Sequence, residues 1–236
     1  RENPLLDHRL NATYDGYIEI RRPVREDADG NLIEEDLELT NDIYVSSGNT
    51  WDGEGEGWIR LSYPSGSILN IDNHRIVGNN THLVMVARDT LGTHQDPLLT
   101  RVGSLTAGTS TTGTGDIVII EDDSLVVRSD GGQAKYYADG WTLMGLSAQP
   151  FWITDILDGL SNFAVSAGTG EIDLRLLATH ALLHQTHGII KTWEFGEDQH
   201  FTADDMEFAG GDDTVSGTGE LFIKAESHNW VYNIGS

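Results

Sequence analysis

The chain turns on one phrase, Val165-Ser166-Ala167-Gly168-Thr169-Gly170-Glu171-Ile172-Asp173-Leu174-Arg175-Leu176. It returns near the end as Val215-Ser216-Gly217-Thr218-Gly219-Glu220-Leu221-Phe222-Ile223-Lys224. An earlier copy runs Leu105-Thr106-Ala107-Gly108 and then Gly113-Thr114-Gly115-Asp116-Ile117-Val118-Ile119, and a looser one joins Val45-Ser46-Ser47-Gly48 to Gly55-Glu56-Gly57-Trp58-Ile59-Arg60-Leu61. In each copy an apolar strand end meets glycines free to adopt positive φ, and a β-branched or leucine run with partial alternation follows. Such a pattern predicts β-hairpins, and their repetition predicts an all-β molecule.

Outward from the phrase, short strands are expected at Tyr14–Arg22, Leu32–Leu39, Ile43–Ser46, Trp58–Tyr63, Ser67–Ile71, Arg75–Val77, His82–Ala87, Leu98–Leu105, Ile117–Ile120 and Leu125–Arg128. Gly, Asn, Asp and Pro separate them, as in sandwiches and barrels. The expected fold is a jelly-roll-like β-barrel or sandwich, with two stacked barrels as a variant. Residues 1–63 and 151–236 would then form the base barrel and residues 64–150 a tower-like insertion. One short helix is expected over Leu177–His187, ended by Gly188.

Composition narrows the function. Thirty-eight acidic residues face fourteen basic ones, of which only Lys135, Lys191 and Lys224 are lysines, and the formal net charge is −24. That much self-repulsion burdens a compact fold in dilute buffer, whereas molar salt shortens the Debye length to about 3 Å. The surface suits a halophilic setting with solvent cations at the carboxylates. It does not suit nucleic acid, because almost nothing here displaces counter-ions from phosphates. There is no cysteine, hence no disulfide framework or thiolate nucleophile. The longest uncharged stretch, Gly140 to Thr154, is too short to span a bilayer and is broken by Pro150, so no transmembrane segment is expected. The chain begins at Arg1 without a methionine, so a leader or processed segment is open and targeting is not read.

Two groups of side chains have metal-ligand chemistry. On the expected helix His180, His184 and His187 fall at i, i+4 and i+7 and share one face, where imidazoles bind transition ions or make a pH-sensitive subunit contact. A solvated polar face is the simpler assignment, since no carboxylate at ligand spacing completes the set. Asp27, Asp29 and Asn31 alternate like the start of a calcium loop but lack its downstream Gly and Glu, so a self-bonded turn is the simpler assignment there too. Gly145-Leu146-Ser147-Ala148-Gln149 starts like a nucleophile elbow but lacks the closing glycine. The acid pairs Asp122-Asp123, Asp204-Asp205 and Asp212-Asp213 read as turns. Asn11-Ala12-Thr13 and Asn79-Asn80-Thr81 match the glycosylation sequon. No catalytic residue, metal or cofactor is assigned, and a non-enzymatic protein is expected.

In size, hairpin content, acid-rich and lysine-poor character, and its Val-Ser-x-Gly-Thr-Gly-Glu phrases, the chain resembles the major capsid proteins of tailless icosahedral haloarchaeal viruses that enclose an internal membrane. The resemblance implies vertical β-barrels, a capsid subunit of the virion, and partners that are copies of itself and other capsid or envelope proteins. No family site residue carries over. Two alternatives stand beside it: a receptor-binding spike, fibre or cell-envelope subunit at a halophile's surface, the fibre or spike marked by regular rungs and threefold symmetry, and a secreted halophilic polysaccharide-acting enzyme, marked by a cleft with two convergent carboxylates.

Overall fold

A computed structural model describes residues 11–13, 17–21, 27–30, 33, 35–46, 57–63, 66–110, 114–129, 163–193, 197–209 and 214–227 of the 236-residue chain. Among them are eighteen strands: β1 (Asn11–Thr13), β2 (Tyr17–Arg21), β3 (Leu37–Glu38), β4 (Ile43–Ser46), β5 (Gly57–Tyr63), β6 (Ile68–Leu69), β7 (Arg75–Ala87), β8 (Leu98–Gly108) and β9 (Ile117–Glu121). They continue with β10 (Leu125–Arg128), β11 (Phe163–Ala167), β12 (Ile172–Leu176), β13 (Leu182–His187), β14 (Ile189–Thr192), β15 (Gln199–Thr202), β16 (Asp205–Phe208), β17 (Val215–Ser216) and β18 (Leu221–Lys224).

The all-β expectation holds, but the strands do not pair as hairpins. Sixteen of these strands form one sheet system in which neighbours along the ladder run parallel, for example Ile172–Arg175 of β12 against Gln199–Thr202 of β15. Parallel neighbours require the chain to travel round and return, so the molecule is a β-solenoid of about five turns rather than a jelly roll. The corner residues Gly66, Asp89, Gly115, Gly170, Glu197 and Gly219 mark those turns, each glycine among them lying against the corner of the preceding coil.

Each coil contributes to three faces, and each face carries an inward column of stacked side chains. On the first face the column is Leu37, Ile68, Leu91, Ile117, Ile172, Gln199 and Leu221. On the second it is Ile18, Ile59, Leu83, Leu105, Val127, Gln185 and Phe208. On the third it is Ile20, Leu61, Met85, Ala107, Val165, Ile190 and Val215. The buried apolar members belong to a single cluster running from Ile18 to Ala203. Like packs on like at the roughly 4.8 Å rise of a parallel ladder, and that regular stack is the core.

The Gly-Thr-Gly phrases are the corner that opens the first face. A Cβ on Gly115 would sit 1.5 Å from the Asp89 carbonyl oxygen, one on Gly170 2.3 Å from that of Gly115, and one on Gly219 2.3 Å from that of Glu197. Glycine is required there because the preceding coil's backbone occupies the space a side chain would need. The next position carries an acid that ties coil to coil: Asp36 accepts the Ser67 N–H at 2.8 Å, Asp116 that of Glu171 at 2.9 Å, and Asp198 that of Glu220 at 2.7 Å. The looser copy does not belong to this corner, since Gly57 opens β5 on the second face.

The helix expected over Leu177–His187 is not formed. Ala178–His180 make a turn, and 182–187 is strand β13, laid parallel between β10 and β16. Ala181, Leu183 and Gln185 point inward at alternate positions, a period of two that histidine spacing had masked. Gly188, with φ of 83°, is the corner between β13 and β14 rather than a helix cap.

Replacing Gly115 by alanine is expected to cost about 1–3 kcal/mol by forcing the Asp89 backbone away. Thr114→Ala, one residue earlier and exposed, should stay within about 0.5 kcal/mol. Urea unfolding at fixed salt measures both.

Candidate functional site

Among the described residues, the first face brings together a group of side chains with metal-ligand chemistry. Along the column beside the inward one lie Leu69, Gly92, Val118, Asp173, His200 and Phe222, following the same register. Between Leu91 and Leu98 the chain leaves the strand: Gly92 adopts φ of 68°, and the excursion is pinned where Thr93 N–H donates to the Asp96 carbonyl at 3.0 Å and Asp96 N–H to Thr93 Oγ1 at 3.0 Å. Val118, directly between Gly92 and Asp173 in the column, is 3% exposed.

This excursion carries His94 to the neighbourhood of β12. His94 Nε2 lies 3.3 Å from Glu171 Oε2, and Nδ1 lies 3.6 Å from Asp173 Oδ2. From the next coil His200 Nε2 approaches the other Glu171 oxygen at 3.5 Å, while its ring stacks on Phe222 with centroids 4.5 Å apart and planes 7° from parallel. Glu171 is set by its own backbone, whose N–H is held by Asp116. Burial pushes the Asp173 carboxyl above its ordinary range, with His94 pulling it back and Glu171 pushing it further. His94, Glu171 and Asp173 each offer a ligand atom, and these atoms lie within 4.8 Å of one another.

A second polar group is sealed inside the fold and reads as structural. His82 on β7 is fully buried, edge-on to Trp58 with ring centroids 4.6 Å apart. Its Nδ1 accepts from Arg128 Nε at 3.1 Å and faces Ser104 Oγ at 2.6 Å, and its Nε2 faces Thr106 Oγ1 at 3.0 Å. The Thr106 hydroxyl donates to the Arg128 carbonyl at 2.6 Å, so it accepts from an Nε2–H, which fixes a neutral tautomer. Burial, then Arg128, then Arg60 pull the imidazole down to about 3.

Glu121 is the buried acid of the molecule's middle coils. Thr100 Oγ1 donates to it at 2.7 Å, and the N–H groups of Val102 and Asp123 donate at 3.2 and 3.3 Å. These bonds favour the carboxylate, but desolvation outweighs them and raises the carboxyl to about 7.

The histidines singled out in the sequence do not share a helix face. His180 sits in the turn before β13 with φ of 63°, its N–H bound by Asp204 at 2.9 Å, whereas His184 and His187 are on the strand itself. Extended backbone separates the last two by about 10 Å, and His184 faces Glu207 at 3.7 Å instead. Asp27 and Asp29 form a self-bonded turn, with the Asp29 N–H donating to Asp27 Oδ1 at 2.9 Å, and Asn31 lies outside the described residues. Asp122 pairs with Arg75, and Asp204 caps the N–H groups of His180 and Ser227, bonds that hold its carboxyl below the usual range. Asn79 is exposed where the ladder breaks between Gly78 and His82. The Asn11 side chain, Asp212-Asp213 and the Gly145–Gln149 segment lie outside the described residues.

Sequence inspection missed His94, Asp173 and His200 as a group, although Glu171 and Asp173 belong to the key phrase. Stacking the phrases in parallel register would have put residues 92, 118, 173, 200 and 222 in one line.

The last described coil is the other notable surface. Strands β16, β17 and β18 each pair on one side only among the described residues. Leu221 and Phe222 are 48% and 41% exposed, whereas Gln199, the residue stacked beneath Leu221, is 5% exposed.

No protein-family model, curated protein or solved structure matches the chain. No helix among the described residues is long and apolar enough to cross a membrane.

For Glu121 the sign is fixed by a folded value of about 7 against 4.5 for the free side chain. The folded state holds the proton where the unfolded state releases it, so this group's contribution to stability falls as pH rises from about 4.5 to 7. Glu121→Gln is expected to remove that fall, so the variant gains on the wild type by an amount on the order of 3 kcal/mol across the interval. Denaturation midpoints at pH 4.5, 6 and 8 test it; parallel pH profiles for the two proteins would refute it.

Proposed function

We propose that this chain is a structural subunit of a virion or cell envelope in a high-salt setting, whose work is to dock on copies of itself. The observation that carries this is the last described coil, whose strands pair on one side only among the described residues. Each earlier coil is covered by a successor in the same register, while β18 pairs on one side only among the described residues and leaves Leu221 and Phe222 half-exposed. The partner we assign to it is the last coil of a second copy, laid antiparallel across β18, because another β-coil matches both the hydrogen-bond spacing and the apolar rim. The first coil is the poorer partner, since its inward Ile18 and Leu37 are already 7% and 5% exposed.

Among structural subunits, parallel rungs favour a spike, fibre or envelope element over the jelly-roll capsid barrel, whose walls are antiparallel. The polysaccharide-acting alternative finds less support. Glu171 and Asp173 lie two residues apart at the start of β12 and both reach His94, whereas glycoside hydrolysis needs carboxylates flanking the scissile bond.

Light scattering after size exclusion in molar salt is expected to give a dimer or larger assembly that weakens as salt is lowered, because two acidic copies repel. Leu221→Lys is expected to leave a monomer with an unchanged far-ultraviolet spectrum. A wild-type monomer in molar salt, or an assembly indifferent to Leu221→Lys, would overturn the assignment. Electron microscopy of the same sample distinguishes rods or spikes from closed shells.

A further inference from the structure

We infer that the first face carries a binding site for a first-row divalent transition ion, with one imidazole nitrogen of His94 and the carboxylates of Glu171 and Asp173 as ligands and His200 as a fourth. The site does not rest on the self-docking reading, since its core ligands His94, Glu171 and Asp173 lie off β18, and Phe222, stacked on His200, is the one residue the two share.

Geometry is the first support. Ligands of a tetrahedral ion at about 2.0–2.2 Å from the metal stand about 3.3–3.6 Å from one another. His94 Nε2 to Glu171 Oε2, at 3.3 Å, and His200 Nε2 to Glu171 Oε1, at 3.5 Å, already fall in that range, while Asp173 Oδ2 stands 3.6 Å from the other ring nitrogen of His94. The three core ligand atoms lie within 4.8 Å of one another, so small side-chain rotations close them around an ion. Because the two carboxylates face different nitrogens of His94, one nitrogen ligates and the other stays protonated, able to donate to a carboxylate oxygen and hold the ring.

Preorganisation is the second support. The Asp116 bond fixes the Glu171 backbone, the parallel register fixes Asp173 beside His200, and the Phe222 ring fixes the plane of His200. His94 alone comes from a loop, and that loop is pinned by its own Thr93–Asp96 bonds. Mixed imidazole and carboxylate donors select the class of ion: calcium and magnesium take oxygen ligands, whereas zinc and its neighbours accept both nitrogen and oxygen. A lone turn of acids has none of this, and the Asp27–Asp29 turn is satisfied by its own backbone.

The test is calorimetric titration of the full chain with Zn2+ in molar sodium chloride, which suppresses diffuse binding to the acidic surface. The expected result is one ion per chain at micromolar or tighter affinity, undisturbed by an excess of Mg2+. His94→Ala and Asp173→Asn are each expected to weaken it at least tenfold, while His184→Ala leaves it unchanged. His94 is more than half exposed, so His94→Ala is expected to keep the wild-type melting temperature without metal. Co2+ gives a second readout: intense visible bands of a tetrahedral site in the wild type, lost in His94→Ala. Zn2+ uptake that is absent, or that His94→Ala leaves intact, overturns the inference.

Discussion

Everything in this molecule answers to the rise of a parallel ladder, about 4.8 Å from one coil to the next. A backbone that returns at that distance leaves no room for a side chain wherever the path bends inward, and it makes each residue the neighbour of its counterparts above and below. The glycine at the corner and the acid beside it are two responses to that closeness. Gly115, Gly170 and Gly219 yield the space that the previous coil's carbonyls need, and Asp36, Asp116 and Asp198 capture the N–H groups that arrive within reach.

The same constraint differentiates the faces. Inward columns must be filled by residues that stack on their own kind, which is why Leu, Ile and Val occupy them through the middle coils. Toward the end the columns turn polar, with Gln185 and Gln199 placed among apolar neighbours. Gln199 meets half of its obligation, donating from Nε2 to the Ser216 carbonyl at 2.8 Å while its Oε1 is buried without a partner among the described residues. The outward columns are free to vary, and on the first face one excursion between two strand segments suffices to lay His94 beside two carboxylates from another coil. A site far apart in sequence thus arises from a small departure from a regular path.

That explains what the sequence disclosed and what it hid. Strand positions were legible: Ile117–Ile120, Leu125–Arg128 and Ile172–Leu176 fall within one residue of β9, β10 and β12, because alternation and glycine breaks are local signals. Pairing was not, since a glycine turn between apolar runs looks the same whether the next strand folds back or goes round. The evidence against hairpins was the spacing of the Gly-Thr-Gly phrases, one or two full circuits apart, which marks a repeat rather than a turn. Leu177–His187 misled for a related reason: His180, His184 and His187 happen to satisfy a helical period, while the burial of Leu183 and Gln185 obeys a period of two. His94 and Glu171 were beyond local inspection, because only the register of three coils joins them.

Repetition also changes what a surface charge means. On a globular surface neighbouring acids can spread apart, but at this corner Asp116, Glu171, Asp198 and Glu220 stand on successive rungs in one line. Two unit charges at 4.8 Å repel by about 0.9 kcal/mol in water before any screening. Against that, a hydrogen bond to a charged acceptor contributes about 1.5–3 kcal/mol, and Asp116 and Asp198 each receive one from the next coil's backbone. The bond outweighs the repulsion where it forms, so the line of acids binds the coils together instead of prising them apart. Glu171 accepts no such bond from the following rung and turns toward His94 and His200. The column therefore changes its role at that rung, from holding backbone to gathering imidazoles, without departing from the register that the ladder imposes.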